Sequence, residues 1–431
     1  MIEIGVCVQD MTPRAGIPLV GFANRDVSTG VHDAILATAL VASSGAERAA
    51  IVDCDLLYVM EESTARIRAE VQKRTGIPGG NVAIACTHTH YGPDTCWNVE
   101  HPLCRDYLGR MEKAVADAVA GAAGAMRPVR MGVGWGSSDI GINRRERGEN
   151  GHIRLGRNPS GPIDRSVGVC RMDGPDGAPV AAIVNFATHP VTLSSRWREL
   201  SADYPGVVRR IVRQLTGAPC LFLQGACGNI NPVRMEADFE APRSLGTRLG
   251  CEAVRVWETV APEEAGGVAV ARSLEQLPRY RFGTRERAER RVRELEELLA
   301  RQRSDGSLEG LVGWTVRRLE RARLSVRAWR GEEEAARVAA ELWAARIGLL
   351  HIATAPAEVF TELGLRVKSS GPRGRTFFAS NANGAVGYVP VREAYGDGGY
   401  EVDDACQVDA EAGETLARVC TALVRRVSSE P

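Results

Sequence analysis

Two of the seven histidines in this 431-residue chain stand one residue apart, in Cys86-Thr-His88-Thr-His90-Tyr-Gly-Pro93. The apolar run before them begins at Val82 and has the composition of a buried strand. In extended chain, residues i and i+2 face the same side, so His88 and His90 can converge on one point. A buried imidazole needs a partner for each ring nitrogen. A metal ion meets that need and so does a structural hydrogen-bonded pair; the motif alone leaves both open. A second apolar run ends in Asn185-Phe-Ala-Thr-His189-Pro190. Neutral imidazole is the commonest nitrogen ligand for zinc, and catalytic zinc keeps one position open beside three protein ligands. His189 taken with His88 therefore points to metal-assisted hydrolysis. Asp203, in Ser201-Ala-Asp-Tyr-Pro-Gly206, is suited either to orient a ligand imidazole or to cap a helix opening at Pro205.

A third run ends in Gln224-Gly-Ala-Cys-Gly228-Asn229-Ile-Asn231-Pro232. Glycines there allow close backbone approach and N–H groups aimed at an oxyanion, although a turn without function explains them equally well. Glu358 follows Pro356 at the start of a helical pattern, where the helix dipole would hold its carboxylate. Tyr388, Tyr395 and Tyr400 lie in and after a Gly-rich segment. On spacing alone Glu358 reads as a cap and Tyr388 as a packed ring.

The elements that must position these residues alternate. Short apolar runs at 49–55, 82–90, 180–189, 220–231, 347–356 and 375–381 read as central strands. Helical periods cover 62–75, 105–122, 205–215, 245–260 and 410–427. This pattern predicts an α/β fold, a mixed β-sheet flanked by helices with ligands gathering where strands end. Residues 280–345 differ: they are dense in Arg and Glu, with a helical stripe at Ala288, Val292, Leu295 and Leu299. A break at Ser304-Asp-Gly-Ser307 predicts an antiparallel helical pair, followed by a third helix from Glu332. This helical insertion reads either as a solvated excursion packed on the core or as a lid or homo-oligomer contact. With no repeat and no linker, residues 1–431 are expected to form one domain.

Lys plus Arg and Asp plus Glu both number 54, so no net field draws nucleic acid or anionic membrane. The first residues carry no basic stretch ahead of a long apolar one, and no later run reaches the roughly 18 apolar residues that span a bilayer. Eleven cysteines without a CxxC pair fit reduced thiols. A cytoplasmic protein without stable membrane insertion is the expectation.

Taken together, the motifs resemble the catalytic domain of neutral, non-lysosomal ceramidases and their shorter bacterial relatives. The matching segments are Gly30-Val-His-Asp33, Thr87-His-Thr-His-Tyr-Gly-Pro93, Ile142-Asn-Arg144, Asn185 to Pro190, Ser201 to Gly206, Gln224 to Pro232, Pro356-Ala-Glu358 and Tyr388-Val-Pro-Val-Arg392, in the family's order. The resemblance implies one zinc per chain held by His88, His189, Glu358 and Tyr388. It places His90 and Arg144 beside the activated water and the substrate carbonyl, and Tyr400 and Tyr395 against the substrate. Gly228 and Asn229 fall in the substrate-binding segment. Where ceramidases carry a Ser proposed to act in catalysis, this chain has Asn231, whose amide can donate a hydrogen bond but cannot act as a base. The family's C-terminal immunoglobulin-like domain has no counterpart in the sequence, and only 5% of residues are aromatic. A zinc-dependent amidase acting on a small soluble amide is the leading expectation. An esterase or lactonase, an acyltransferase, or a non-catalytic binding protein on the same scaffold are the alternatives.

Overall fold

The computed structural model describes residues 1–25 and 27–429. Three larger sheets face one another around a shared apolar centre. The first runs in the order Val82–Cys86, Glu47–Cys54, Leu36–Ser44, Glu3–Asp10 and Arg127–Pro128. The second runs Cys220–Gln224, Pro179–Phe186, Ser166–Asp173, Arg130–Ser137 and Glu263–Glu264. The third runs Val268–Pro278, Arg337–Ile347, Leu350–Thr354 and Thr376–Ala379. Each contains one parallel pair, namely 47–54 with 82–86, 179–186 with 220–224, and 350–354 with 376–379.

The period-2 alternation of a strand explains why these runs are apolar throughout. In the Leu36–Ser44 strand, Leu40 and Ala42 join the shared centre, while Ala37, Ala39 and Val41 join the cluster that includes Ile67, Val71, Met111 and Val115. Those last four come from α1 (Glu61–Thr75) and α2 (Pro102–Gly124). In the Pro179–Phe186 strand, Ala181 and Ile183 face the centre, and Ala182, Val184 and Phe186 face α3 (Asp203–Thr216) and α4 (Glu240–Thr259). The third sheet presents Trp343, Ala345, Ile352 and Phe377 inward. Its outer residues Leu342, Ala353 and Phe378 cluster with Leu363, Val367, Leu416 and Val424. All three sheets are thus covered on both faces, as an α/β fold requires.

The helical pair is present as α5 (Arg285–Ser304) and α6 (Glu309–Trp329), with Ala288, Leu295 and Leu299 packed on Leu319, Ala322 and Val326. The third helix expected from Glu332 does not form. Residues 333–336 make one 3-10 turn, and Arg337–Ile347 is a strand paired along its length with Val268–Pro278. The Ala-rich composition there favours helix, but eleven residues of ladder and the burial of Leu342 to Ala345 outweigh that weak local preference. The helical insertion therefore ends near 329. After it come α7 (Thr361–Lys368), the short α8 (Ala394–Asp397) and α9 (Ala412–Ser429). The run at 220–231 is likewise two strands, Cys220–Gln224 and Ile230–Pro232, separated by a turn. All eleven cysteines are free. No helix among the described residues is long and apolar enough to cross a membrane.

Candidate metal centre

Each sheet sends one side chain to a common point from the loop that follows a strand of its parallel pair. His88 lies two residues beyond Cys86, His189 three beyond Phe186 and Glu358 four beyond Thr354. In open α/β sheets this is where ligands collect. The carboxylate Oε2 of Glu358 stands 3.3 Å from His88 Nε2 and 2.9 Å from His189 Nε2. His90 completes the group, for ligand atoms of His88, His90 and His189 all lie within 4.8 Å of one another. Tyr388 Oη is 3.4 Å from His189 Nε2.

The second nitrogen of every ring faces a carbonyl. His88 Nδ1 lies 3.1 Å from Leu57 O, His90 Nδ1 3.0 Å from Gly21 O, and His189 Nδ1 2.7 Å from Cys227 O. A carbonyl only accepts, so each Nδ1 carries a proton and each Nε2 is the ring nitrogen left to face the centre. The Nε2 atoms of His88 and His90 are buried without a hydrogen-bond partner among the described residues. Burial and the charge of Arg144 push the His189 imidazole down to about 4, and burial with the neighbouring imidazoles pushes His90 well below its ordinary 6.5. Burial alone would raise the Glu358 carboxyl, yet His88 and His189 hold it well below its ordinary value. The donor set of imidazole nitrogen, carboxylate and phenol oxygen fits a borderline ion such as zinc. Carbonyls on the far nitrogens supply the orientation such a site needs.

His88 and His90 meet, with ring centroids 5.0 Å apart, but not by strand alternation. The strand ends at Cys86, and His88 takes a left-handed backbone at φ 67°. A non-glycine residue there is uncommon and costs of order 1–3 kcal/mol. The N–H of His88 bonds to Leu56 O at 3.0 Å, which fixes the turn. Gly21, at φ 103°, seats the His90 ring, and a Cβ on it would stand 2.7 Å from three atoms of that side chain.

Arg144 enters from the Gly141–Arg147 strand and is buried beside the centre. Its Nε donates to Glu401 Oε1 at 2.9 Å, Nη2 to Tyr388 Oη at 2.9 Å and Nη1 to Asn231 Oδ1 at 3.2 Å. Asn231 thus serves as acceptor to Arg144. Tyr400 packs 5.8 Å from the Tyr388 ring.

Several expected residues sit elsewhere or do other work. Tyr395 donates to Val408 O at 2.7 Å and Asp409 O at 2.9 Å and packs on Tyr280, away from the centre. The N–H of Gly228 is bonded to Val359 O at 2.8 Å, so it is no free oxyanion donor. A Cβ there would come 2.6 Å from Glu358 O, so glycine serves the packing of two loops. Asn229 accepts from Thr361 N at 2.9 Å, at the opening of α7, and donates to Glu362. Glu358 itself lies in a two-residue strand, and Phe360, not Glu358, precedes the helix. Asp203 accepts from Thr192 and Tyr204 at the start of α3 and contacts neither ligand ring. Its orienting role falls to the three carbonyls.

Other residues of the centre carried no sequence signal. Tyr58 donates to Glu358 Oε1, and Glu401 joins Arg144 to Arg145, whose Nη1 lies 2.8 Å from Glu401 Oε2. Two cavities flank the centre. One of about 600 Å³ is lined by His90, Arg144 and Asn231 with Ile142, Leu155 and Met235. The other, about 380 Å³, is lined by Tyr58, Glu358, Arg317 and Arg321. Trp97, Trp314, Tyr388 and Tyr400 line both. Trp97 and Trp314 lie 6.3 Å apart, so the helical insertion supplies part of the wall. A larger cavity of about 850 Å³, between His32, Arg210 and Phe239, holds none of the centre's residues.

The fold and this centre define a mixed α/β protein with a histidine cluster that could hold a metal ion. The sequence profile of the neutral/alkaline non-lysosomal ceramidase family, N-terminal part, matches residues 2–219, and the chain belongs to that family. A neutral ceramidase of Oryza sativa subsp. japonica is 23% identical over an alignment of 258 residues that covers 57% of this chain and about a third, 33%, of that relative's length. Among solved structures, the neutral ceramidase from Pseudomonas aeruginosa matches all of this chain and 75% of its own at a TM-score of 0.75 and 20% identity. A ceramidase complexed with C2 matches at 0.73 and 17% identity, over 100% of this chain and 76% of that one. At these identities the structural likeness defines the fold.

Proposed function

We propose that the chain is a zinc-dependent hydrolase of an amide bond in a small soluble N-acyl substrate. The observation that carries this reading is the convergence of the Nε2 atoms of His88 and His189 on the Glu358 carboxylate, with His90 grouped beside them within 4.8 Å. His88, His189, Glu358 and Tyr388 would hold the ion. Zinc bound there would polarise a carbonyl and acidify a water towards a pKa of roughly 7.

The remaining chemistry belongs to the chain. Arg144 keeps its charge, because burial, which lowers a guanidinium, is outweighed by Tyr388 and Glu401. A fixed cation at this point stabilises an oxyanion developing on the substrate, without reorganisation at the moment of reaction. Asn231 and Glu401 hold that guanidinium from two sides. His90 has its Nδ1 tied to Gly21 and its Nε2 free, which suits it to take a proton from water and return it to the leaving amine. Trp97, Trp314 and Tyr400 would exclude water around the scissile bond.

The test is hydrolysis of a panel of N-acyl amines and N-acyl amino acids by the zinc-loaded protein, with amine release as the readout. Turnover abolished by chelation and restored by zinc is expected. A protein that binds zinc but cleaves no amide in the panel refutes the proposal.

A further inference from the structure

α6 delivers Trp314, Arg317 and Arg321 to the smaller cavity beside the centre. Steps of three and four residues put all three on one helical face. Arg317 Cζ lies 4.2 Å over the Trp97 ring and 5.8 Å from Trp314, and Arg321 Cζ lies 5.8 Å from Trp314. An aromatic face attracts the flat of a guanidinium and leaves its N–H edge still to be satisfied. Arg321 uses one donor, Nη1 to Cys406 O at 3.3 Å. Arg317 makes no hydrogen bond or ion pair with another described residue in the structure, and its Nε is buried without a partner.

The acids nearby are engaged elsewhere. Asp94 accepts from the N–H groups of Cys96, Trp97 and Asn98, and Asp404 is paired with Arg291 and Arg318. Glu358 belongs to the metal centre, and Glu320 lines the cavity from an exposed position. Other arginines of the same helix are paired, Arg323 with Glu296 and Arg327 with Glu332. Withdrawing a charge from water without a hydrogen-bonded partner is costly. A ligand anion in this cavity would remove that penalty, and a carboxylate matches the guanidinium fork in two parallel hydrogen bonds.

We propose that this cavity takes the carboxylate end of an anionic substrate, recognised by Arg317 and Arg321. The apolar half of the substrate then lies in the larger cavity, against Ile142, Leu155, Val233 and Met235. The inference rests on the hydrolase reading in one respect: the two cavities meet at Tyr388 and Tyr400, where the scissile amide would sit. The substrate class is an N-acyl amino acid or a similar amphiphile with one carboxylate.

Two uncleavable probes test recognition on the zinc-loaded full chain by calorimetry: N-octyl-N′-carboxymethylurea and its neutral primary amide. The acid is expected to bind at least about tenfold tighter, a difference of about 1.4 kcal/mol. Arg317→Met keeps the methylene packing on Trp97 and should collapse the preference to within about twofold, whereas Arg317→Lys should retain part of it. Equal affinities in the unaltered protein, no binding of either probe, or a preference that survives Arg317→Met overturns the proposal. N-Octanoylglycine and N-octanoylglycinamide, assayed for cleavage, separate the two readings. Preferential binding of the acid with neither amide cleaved removes the hydrolase reading alone. Equal cleavage and equal affinity remove the carboxylate site alone.

Discussion

Arg144 and Glu401, 257 residues apart in sequence, meet at 2.9 Å in the wall of the metal centre, and both are buried. Glu401 also holds Arg145, so one carboxylate bridges two guanidiniums and aims one of them at the site. Glu401→Gln keeps the shape and removes the charge. It should lower kcat/KM by about 10- to 100-fold, roughly 1.4–2.7 kcal/mol of transition-state stabilisation, with zinc content unchanged. Steady-state kinetics beside metal analysis checks this, and an unaltered kcat/KM would remove Arg144 from the mechanism.

Gly21→Ala probes the seat of His90. The added Cβ meets that ring at 2.7 Å and sits at a backbone angle that alanine avoids. The rate should fall by about tenfold or more, because an ångström of misplacement at a reacting group is expensive. A structure of the variant should show the His90 ring displaced; full activity would mean that its position does not matter.

A buried ion cluster ties α3 to the first sheet. Arg209 donates through Nη1 to Asp53 at 3.0 Å and through Nη2 to Asp55. Arg209→Met would leave two buried carboxyls without their cation and should cost about 3–5 kcal/mol in urea unfolding. A change under 1 kcal/mol would show that the pair is dispensable.

Glu341 predicts a pH dependence of stability. Burial would raise its carboxyl, but Arg68, at 2.6 and 3.0 Å, and Arg272, at 3.1 Å, hold it below its ordinary 4.5. A carboxyl lowered by folding stabilises above its unfolded value, and that contribution disappears as pH falls through the folded value. The unaltered protein should therefore exceed Glu341→Gln by about 1–3 kcal/mol at pH 7, with the gap closing as pH falls below the ordinary 4.5 and through the lowered folded value. A gap independent of pH would assign the effect to packing.

Much of the site was legible because strand-ending loops leave local marks. His88 and His189 stand out as rare residues closing apolar runs, and a short run without polar positions is the mark of a strand buried on both faces. What joins the three loops is long-range and leaves no spacing. Glu358 reaches the centre through the third sheet, Glu401 through a turn of π-helix, and Trp314 through the insertion. The same limit explains the misread segments. Arg337–Ile347 has helical composition, and only its partner strand at 268–278 makes it extended. Tyr395 and Tyr400 look alike in sequence, yet the intervening glycines at φ 67° and 95° turn one ring into the site and leave the other on Tyr280. His88 and His90 converge through a left-handed residue at His88 and not through strand alternation.

Segments from three separate sheets bring His88, His189 and Glu358 to the point where a single ion would sit. Zinc content of the purified chain and of His88→Ala and His189→Ala, measured by mass spectrometry after dialysis against chelator-treated buffer, tests this most directly. About one zinc per chain is expected in the unaltered protein, with near-complete loss in both variants, each still folded. Full zinc occupancy in either variant, or none in the unaltered chain supplied with zinc, would contradict it.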